Sequence, residues 1–215
     1  MNNFPIIDVS RETHQNVSDC LKLYSSSFEK LVDRWLFWNQ KVNVFSRKTT
    51  GDDLFNHIRH SLYLLDSVSS DGSIPVLDAG SGGGLPGVPL SIVKYSNSYI
   101  LLDRIKKKQL VQRDIIRCLN LKNIETTCGD LADFHHPHKL RVVSMHAFPL
   151  DQLLSSITNL QWDELSILKG HDVLKEIVEL NLEFYDINIY RINIDTPFFD
   201  KKYKVSISKK TRSNE

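Results

Sequence analysis

The chain has 215 residues, 41% of them apolar and 25% charged, with a formal net charge of +1, the balance of a folded globular protein rather than a disordered one. No apolar run approaches the roughly 18 residues that a membrane-spanning helix needs, and the segment Met1-Asn-Asn-Phe-Pro-Ile-Ile-Asp8 has neither the basic start nor the apolar core of a secretory signal. Cys20, Cys118 and Cys128 are odd in number and widely spaced, which argues against a disulfide framework and for a reducing, cytoplasmic setting.

Taken in order, residues 1–14 show no sustained period and read as a loosely attached lead-in. From Val17 to Val42 the pattern is helical, with Leu21, Tyr24, Phe28, Leu31, Val32, Trp35, Trp38 and Val42 recurring at three- and four-residue steps. Trp35 and Trp38 read as core anchors. A polar, turn-forming stretch from Asn43 to Gly51 follows. Asp52 or Asp53 is then expected to cap a helix whose buried stripe is Phe55, Ile58, Leu62 and Leu65. His57 and His60 lie beside that stripe, where a histidine is more often packed or hydrogen-bonded than catalytic. The turn residues from Ser67 to Ser73 make a linker.

The next stretch organises the chain. Ile74 to Leu77 is a short apolar run that reads as a buried strand. It ends in Asp78 and a glycine-rich turn, after which Val88, Leu90, Ile92 and Val93 begin a helical pattern. Glycines let a ligand approach the backbone closely, and a helix start offers free N–H groups. The spacing Asp78-x-Gly80-x-Gly82-x-Gly84 is that of the first motif of S-adenosylmethionine (SAM) methyltransferases. Gly82-Gly-Gly84-Leu-Pro-Gly87 formally satisfies the dinucleotide pattern G-x-G-x-x-G, but it begins too late after the strand and sets Pro86 inside the turn that should cradle a pyrophosphate.

Tyr99 to Leu102 is the following strand. It closes on Asp103, 19 residues beyond Gly84, the distance at which α/β nucleotide folds set an acid against a ribose diol. Asp103 equally suits a helix cap, and one carboxylate has acceptors enough for both tasks. Ile105 to Leu119 is a helix with Leu110, Val111, Ile115 and Leu119 inward; between Arg104 and Arg117 six basic residues accompany a single acid, Asp114. Six more basic residues lie between Lys201 and Arg212. Either cluster could be a solvated face, but next to a SAM site a basic patch favours a nucleic acid. Asn123 to Cys128 is the third strand, and the turn after it, with Asp130, Leu131, Ala132 and Asp133, is where an adenine edge can lie. His135-His-Pro-His138 has no second ligand cluster at zinc spacing, so no metal is expected. Strands over Leu140–Ser144 and Leu165–Leu168 alternate with helices over Leu150–Ile157 and Val173–Leu182, and segments 184–194 and 203–207 form a terminal antiparallel pair. This βα alternation predicts a mostly parallel sheet with the ligand across the C-terminal ends of its strands.

Several segments together are similar to one known family. Trp38-Asn-Gln-Lys-Val-Asn43 resembles a W-N-x-x-x-N signature, and Phe45-Ser-Arg-Lys48 with His60-Ser-Leu62 the segment after it. Asp78-Ala-Gly-Ser-Gly-Gly-Gly-Leu-Pro-Gly-Val-Pro-Leu90, Leu101-Leu-Asp103 with Lys107-Lys108, and Leu168-Lys-Gly170 complete the set. The ordered set resembles the RsmG family, also called glucose-inhibited division protein B, whose members are small-subunit ribosomal RNA methyltransferases that make N7-methylguanosine.

The resemblance implies a Rossmann-like SAM-dependent methyltransferase with a terminal antiparallel pair and an N-terminal helical extension. Residues 1–68 would form the extension, packed on the core, and residues 74–208 the SAM-binding domain. It implies SAM as cofactor, ribosomal RNA or the small subunit as partner, no membrane and no metal, and a monomer. Asp78, Gly80, Ser81, Gly82, Leu85, Asp103, Arg104, Leu131 and Ala132 are the cofactor candidates. Where the family reads S-R-A-x-A-P-L this chain has Ser144-Met-His-Ala-Phe-Pro-Leu150, which adds Met145 or His146. Gly129-Asp-Leu-Ala132 stands where the family reads G/S-R-x-E, so two arginines of the pattern are absent. Arg47, Lys48, Lys106, Lys107, Lys108 and Lys169 are the RNA-contact candidates. The alternatives are a SAM methyltransferase for another RNA or a protein, and a SAM- or RNA-binding module without catalysis.

Overall fold

The structure is a computed structural model that describes residues 4–69, 71–180 and 184–210. Eight strands form one sheet: β1 (Ile6–Asp8), β2 (Val76–Ala79), β3 (Tyr99–Asp103), β4 (Ile124–Cys128), β5 (Leu140–Met145), β6 (Trp162–Lys169), β7 (Tyr185–Arg191) and β8 (Tyr203–Lys209), in the spatial order β1-β7-β8-β6-β5-β2-β3-β4. Every pairing is parallel except those of β8, which runs against both β6 and β7. The helices are α1 (Arg11–Leu23), α2 (Ser25–Asn39), α3 (Gly51–Ser61), α4 (Gly87–Val93), α5 (Lys106–Cys118), α6 (Leu150–Ser156) and α7 (Val173–Glu179).

Helices cover both faces of a parallel sheet, so its central strands read as unbroken apolar runs. All of β2 and β3 is buried. Successive residues divide between the faces, as the two-residue period of a strand requires: Val76, Tyr99, Leu101 and Val143 join the core under α1–α5, while Leu77, Ile100, Leu102 and Val142 join the one on the other face. The chain steps outward from β2 to β3 and β4, then returns to the other side of β2 at β5. That reversal opens a crevice between the C-terminal ends of β2 and β5, where α/β folds place ligands.

Five local expectations are corrected. The lead-in contains β1, which extends the sheet by pairing with β7; Asp8 accepts from Arg191 Nε at 2.7 Å. Three exposed residues are too few to show a period. The long N-terminal helix is two helices, with Tyr24 capping the first. Thr50, not Asp52 or Asp53, is the cap of α3. Its hydroxyl accepts from Asp53 N, and the Asp53 carboxylate accepts from Thr50 N in return, a reciprocal capping box. The buried face of α3 is accordingly Leu54, Ile58, His60 and Ser61, with Phe55 exposed. On α5, Leu110 is 56% exposed, and Gln112 takes the inward place beside Val111 and Ile115. α7 ends at Glu179 because Leu180 is extended; the rest of its expected extension, to Leu182, and Arg212 of the basic tail lie outside the described residues. Among the described residues, no helix is long and apolar enough to cross a membrane.

Thr50→Ala is expected to cost about 1 kcal/mol of folding stability and Asp52→Ala under about 0.5. Denaturant unfolding of the two variants checks which residue caps α3.

Candidate active site

A cavity of ≈ 510 Å³ occupies the crevice at the switch point, within the size range of small-molecule sites. One wall is the glycine loop after β2. Gly80 N and Ser81 N donate to Leu102 O, Gly82 N to Asp103 Oδ2 at 2.9 Å, and Gly84 N and Leu85 N to Ser81 O. Three further groups hold the loop. The buried Gln112 amide donates to Gly82 O at 2.7 Å and Ser81 Oγ at 2.9 Å; the Trp35 indole donates to Gly83 O at 2.8 Å; and Asp78 Oδ2 accepts from Gly87 N at 2.7 Å. The N–H groups expected at the helix start are therefore spent inside the protein, since Val88 N also donates to Gly84 O. Such a loop offers shape more than donors, which suits an uncharged or cationic ligand better than a pyrophosphate.

Gly82 shows where that ligand fits. Its φ is +54°, and a Cβ built there meets nothing closer than Gly80 O at 4.0 Å; a side chain would project into the cavity instead. Gly87 is small for the opposite reason: its Cβ would run into Leu101 and the Asp78 carboxylate at 2.4 and 2.7 Å.

Asp103 lines the cavity from the end of β3. Its Oδ1 accepts from Ile105 N at 2.9 Å, fastening the start of α5, and its Oδ2 takes Gly82 N with Lys108 Nζ 3.5 Å away. The bond to Ile105 makes the fastening role real, and a carboxylate with about four lone-pair positions keeps capacity for a hydroxyl. Asp78 does not face the cavity. It is fully buried beneath the loop, and burial pushes its carboxyl well above the usual range, with Asp103 adding to the rise and the Gly87 N–H opposing it.

Gly80, Ser81, Gly82, Leu85, Asp103, Arg104, Leu131, Met145 and His146 are brought together around the cavity, whereas Ala132 is exposed and outside it. Of the RNA-contact candidates, Lys108 lines this cavity, and Lys107, Lys108 and Arg47 line a neighbouring groove. Lys48 and Lys106 are exposed but line neither. Lys169 is not a free surface cation: it is 8% exposed and donates to Glu176 Oε1 at 2.6 Å.

Sequence reasoning missed a whole wall. Val44 and Phe45, from the loop between α2 and α3, close the cavity against Gly83. Asn39 fixes that loop by accepting from Val44 N and Phe45 N and donating to Ser46 O. Asn39 stands in the Trp38-Asn motif and Phe45 in the segment after it, the signals that pointed there. Ala147, Phe148 and Gln152 form the far end with Met145 and His146.

His57 lines the cavity between Phe45, stacked at 6.3 Å, and Phe198 at 5.0 Å, while His60 lies behind it, 5.6 Å from His146. All three histidines are held below the ordinary imidazole range. Burial leads for His60, which is fully buried, and His146, Lys202 and His57 add repulsion. Burial followed by Lys202 lowers His57. His146, although open to the cavity, is lowered by the protein around its ring and then by Lys202, His57 and Lys169. This end of the cavity carries neutral imidazoles at physiological pH.

Residues 24–195 match the sequence profile of a family described as GidB, rRNA small subunit methyltransferase G. The chain belongs to this family. Among its relatives, the ribosomal RNA small subunit methyltransferase G of Cytophaga hutchinsonii is 34% identical over 189 residues, covering 84% of this chain and 90% of that one. The protein of the same name from Bacteroides thetaiotaomicron is 36% identical over 81% of this chain and 88% of its own. Solved structures share the fold at low identity. An rRNA methylase from Streptococcus thermophilus superposes with a TM-score of 0.52 at 17% identity, over 73% of this chain and 96% of that one. The 23S rRNA methyltransferase ErmE gives 0.55 at 11%, over 73% and 68%.

Two outcomes are expected. Gly82→Ala should weaken SAM binding at least about tenfold and Gly82→Val abolish it, because each fills the space over the loop; calorimetry on folded variants measures this. The second concerns pH. Below about 6.5 an unfolded histidine takes a proton that buried His60 refuses, so the unfolded state gains and stability falls as pH drops. His60→Leu should lose less stability than the parent protein between about pH 7 and pH 5, read from melting curves of both proteins.

Proposed function

We propose that the protein is a SAM-dependent methyltransferase that modifies N7 of a guanine in small-subunit ribosomal RNA. The observation that carries this reading is the cavity over the open face of Gly82, flanked by the Asp103 carboxylate, in a chain of the methyltransferase G family. The residues present suit SAM. Gly80, Ser81, Gly82 and Leu85 would take its methionine portion and Asp103 its ribose. Leu131 would pack on the adenine, with Asp130 as acceptor for the exocyclic amine. Arg104 and Lys108 are cations of the cavity wall and suit the carboxylate.

SAM, when bound, supplies an electrophilic methyl group, and guanine N7 offers a lone pair with no proton to remove, so no general base is required. The chain's contribution is then alignment and electrostatics. Methylation leaves the base cationic, and the neutral state of His57, His60 and His146 adds no charge to that of Lys202 and Lys169 at that end of the cavity. The loop carrying Val44 and Phe45 excludes water from the side of α2. In this reading residues 1–68 act as a helical extension completing the site of a domain spanning 74–208. In this reading the protein is cytoplasmic, in keeping with its scattered free cysteines, and acts as a monomer.

The test is transfer of labelled methyl from SAM to small ribosomal subunits, with the product nucleoside identified by mass spectrometry. N7-methylguanosine in the small-subunit RNA is expected. A different methylated product would reassign the substrate, and SAM binding without any transfer would leave a binding module.

A further inference from the structure

A groove of ≈ 1190 Å³ runs beside the cofactor cavity, between the end of α2, the loop after it and the start of α5. Its composition does not suit phosphate contact alone. Lys41, Arg47, Lys107 and Lys108 supply four cations, and no acid among the described residues lines it. Its floor is apolar: Leu36, Val42, Ile105 and Leu110, of which Ile105 is 42% and Leu110 56% exposed. Gln40 and Asn43 add exposed amides. Cations around an apolar floor, with amides that both donate and accept, match an unpaired nucleotide, whose phosphate, base face and base edge need those three partners. A duplex would present its phosphates and ribose and leave Ile105 and Leu110 in water.

The groove and the cavity are continuous. Ile105 and Lys108 line both, and the loop after α2 sends Val44 and Phe45 into the cavity and Val42, Asn43 and Arg47 into the groove. A guanine must leave its stack to reach an enclosed site, which unstacks its neighbours as well. Resting on the RNA methyltransferase reading above, we propose that this groove holds unpaired nucleotides adjoining the target guanine, with Leu110 and Ile105 under a base and Lys41, Arg47 and Lys107 on the flanking phosphates. The enzyme is thereby specific for a single-stranded or melted segment.

The test is fluorescence anisotropy with the full chain and one labelled oligoribonucleotide, alone and annealed to its complement, across a salt series. The parent protein should bind the unpaired form at least about tenfold more tightly. Leu110→Ser should weaken that binding about five- to tenfold through lost apolar contact, with an unchanged salt slope. Lys107→Ala should lower the slope by about 0.7. SAM affinity, measured by calorimetry, should stay constant in Leu110→Ser, which shows that the exposed substitution leaves the site folded. Equal binding of paired and unpaired RNA, or unchanged affinity in Leu110→Ser, overturns the proposal. So does an oligomer of the parent protein that Leu110→Ser dissociates, since the floor would then belong to a second copy. Methyl transfer to small subunits by the parent protein is measured in parallel. If transfer persists while the groove variants bind normally, only the groove assignment fails; if the parent protein transfers no methyl, the enzymatic reading fails first.

Discussion

The site depends on the backbone hydrogen bonds that clamp the glycine loop. A loop rich in glycine has more conformations to lose on folding than any other, and a ligand cradle is useful only if that entropy is removed before the ligand arrives. Here groups from four elements remove it. Asp78 reaches up from the end of β2, Asp103 across from β3, Gln112 from α5 and the Trp35 indole from α2. Three of these donors and acceptors, Gln112, Asp78 and Trp35, are completely buried, where an unmade hydrogen bond is costly. The clamp therefore links the sheet, the basic helix and the N-terminal helices through Ser81, Gly82, Gly83 and Gly87.

That clamp also explains which parts of the molecule could be read in advance. β2 and β3 were legible because burial on both faces writes an uninterrupted apolar run, and Asp103 because the strand ends on it. The βα alternation was likewise sufficient for a mostly parallel sheet. What stayed hidden is contact between residues far apart in the chain. Trp35 and Gly83 are 48 positions apart, and nothing in the α2 period distinguishes an indole filling the core from one that also holds a loop. Gln112 interrupts an otherwise apolar stripe, and that interruption was the available signal. Asp78 failed in a different way: its motif position was right, but the carboxylate turns under the loop rather than into the cavity. Leu110 shows the limit of counting periods, since four apolar residues on α5 fit an inward face and the helix buries only part of them.

The N-terminal segment changes character in this light. A helical cap that merely covered the sheet would need only apolar side chains. Instead the loop after α2 is pinned by Asn39 and divides its residues between the cofactor cavity and the basic groove. One short loop thus borders both places where a two-substrate reaction has to bring its partners together. The proposed cofactor and polynucleotide sites would then share a boundary rather than lie on independent surfaces.

The pairing of β1 with β7 has a consequence for how the chain acquires its fold. Among the described residues β1 is the first strand, yet its one partner strand begins at Tyr185, and that partner is held in turn by β8. During synthesis, β1 has no edge to join until nearly the whole polypeptide has emerged. Contacts of such sequence separation form late and slowly. The helices that follow β1 can dock on the nascent core earlier, through Phe28, Leu31 and Trp35. This edge strand is therefore expected to close as a latch after the cavity, none of whose lining residues it supplies.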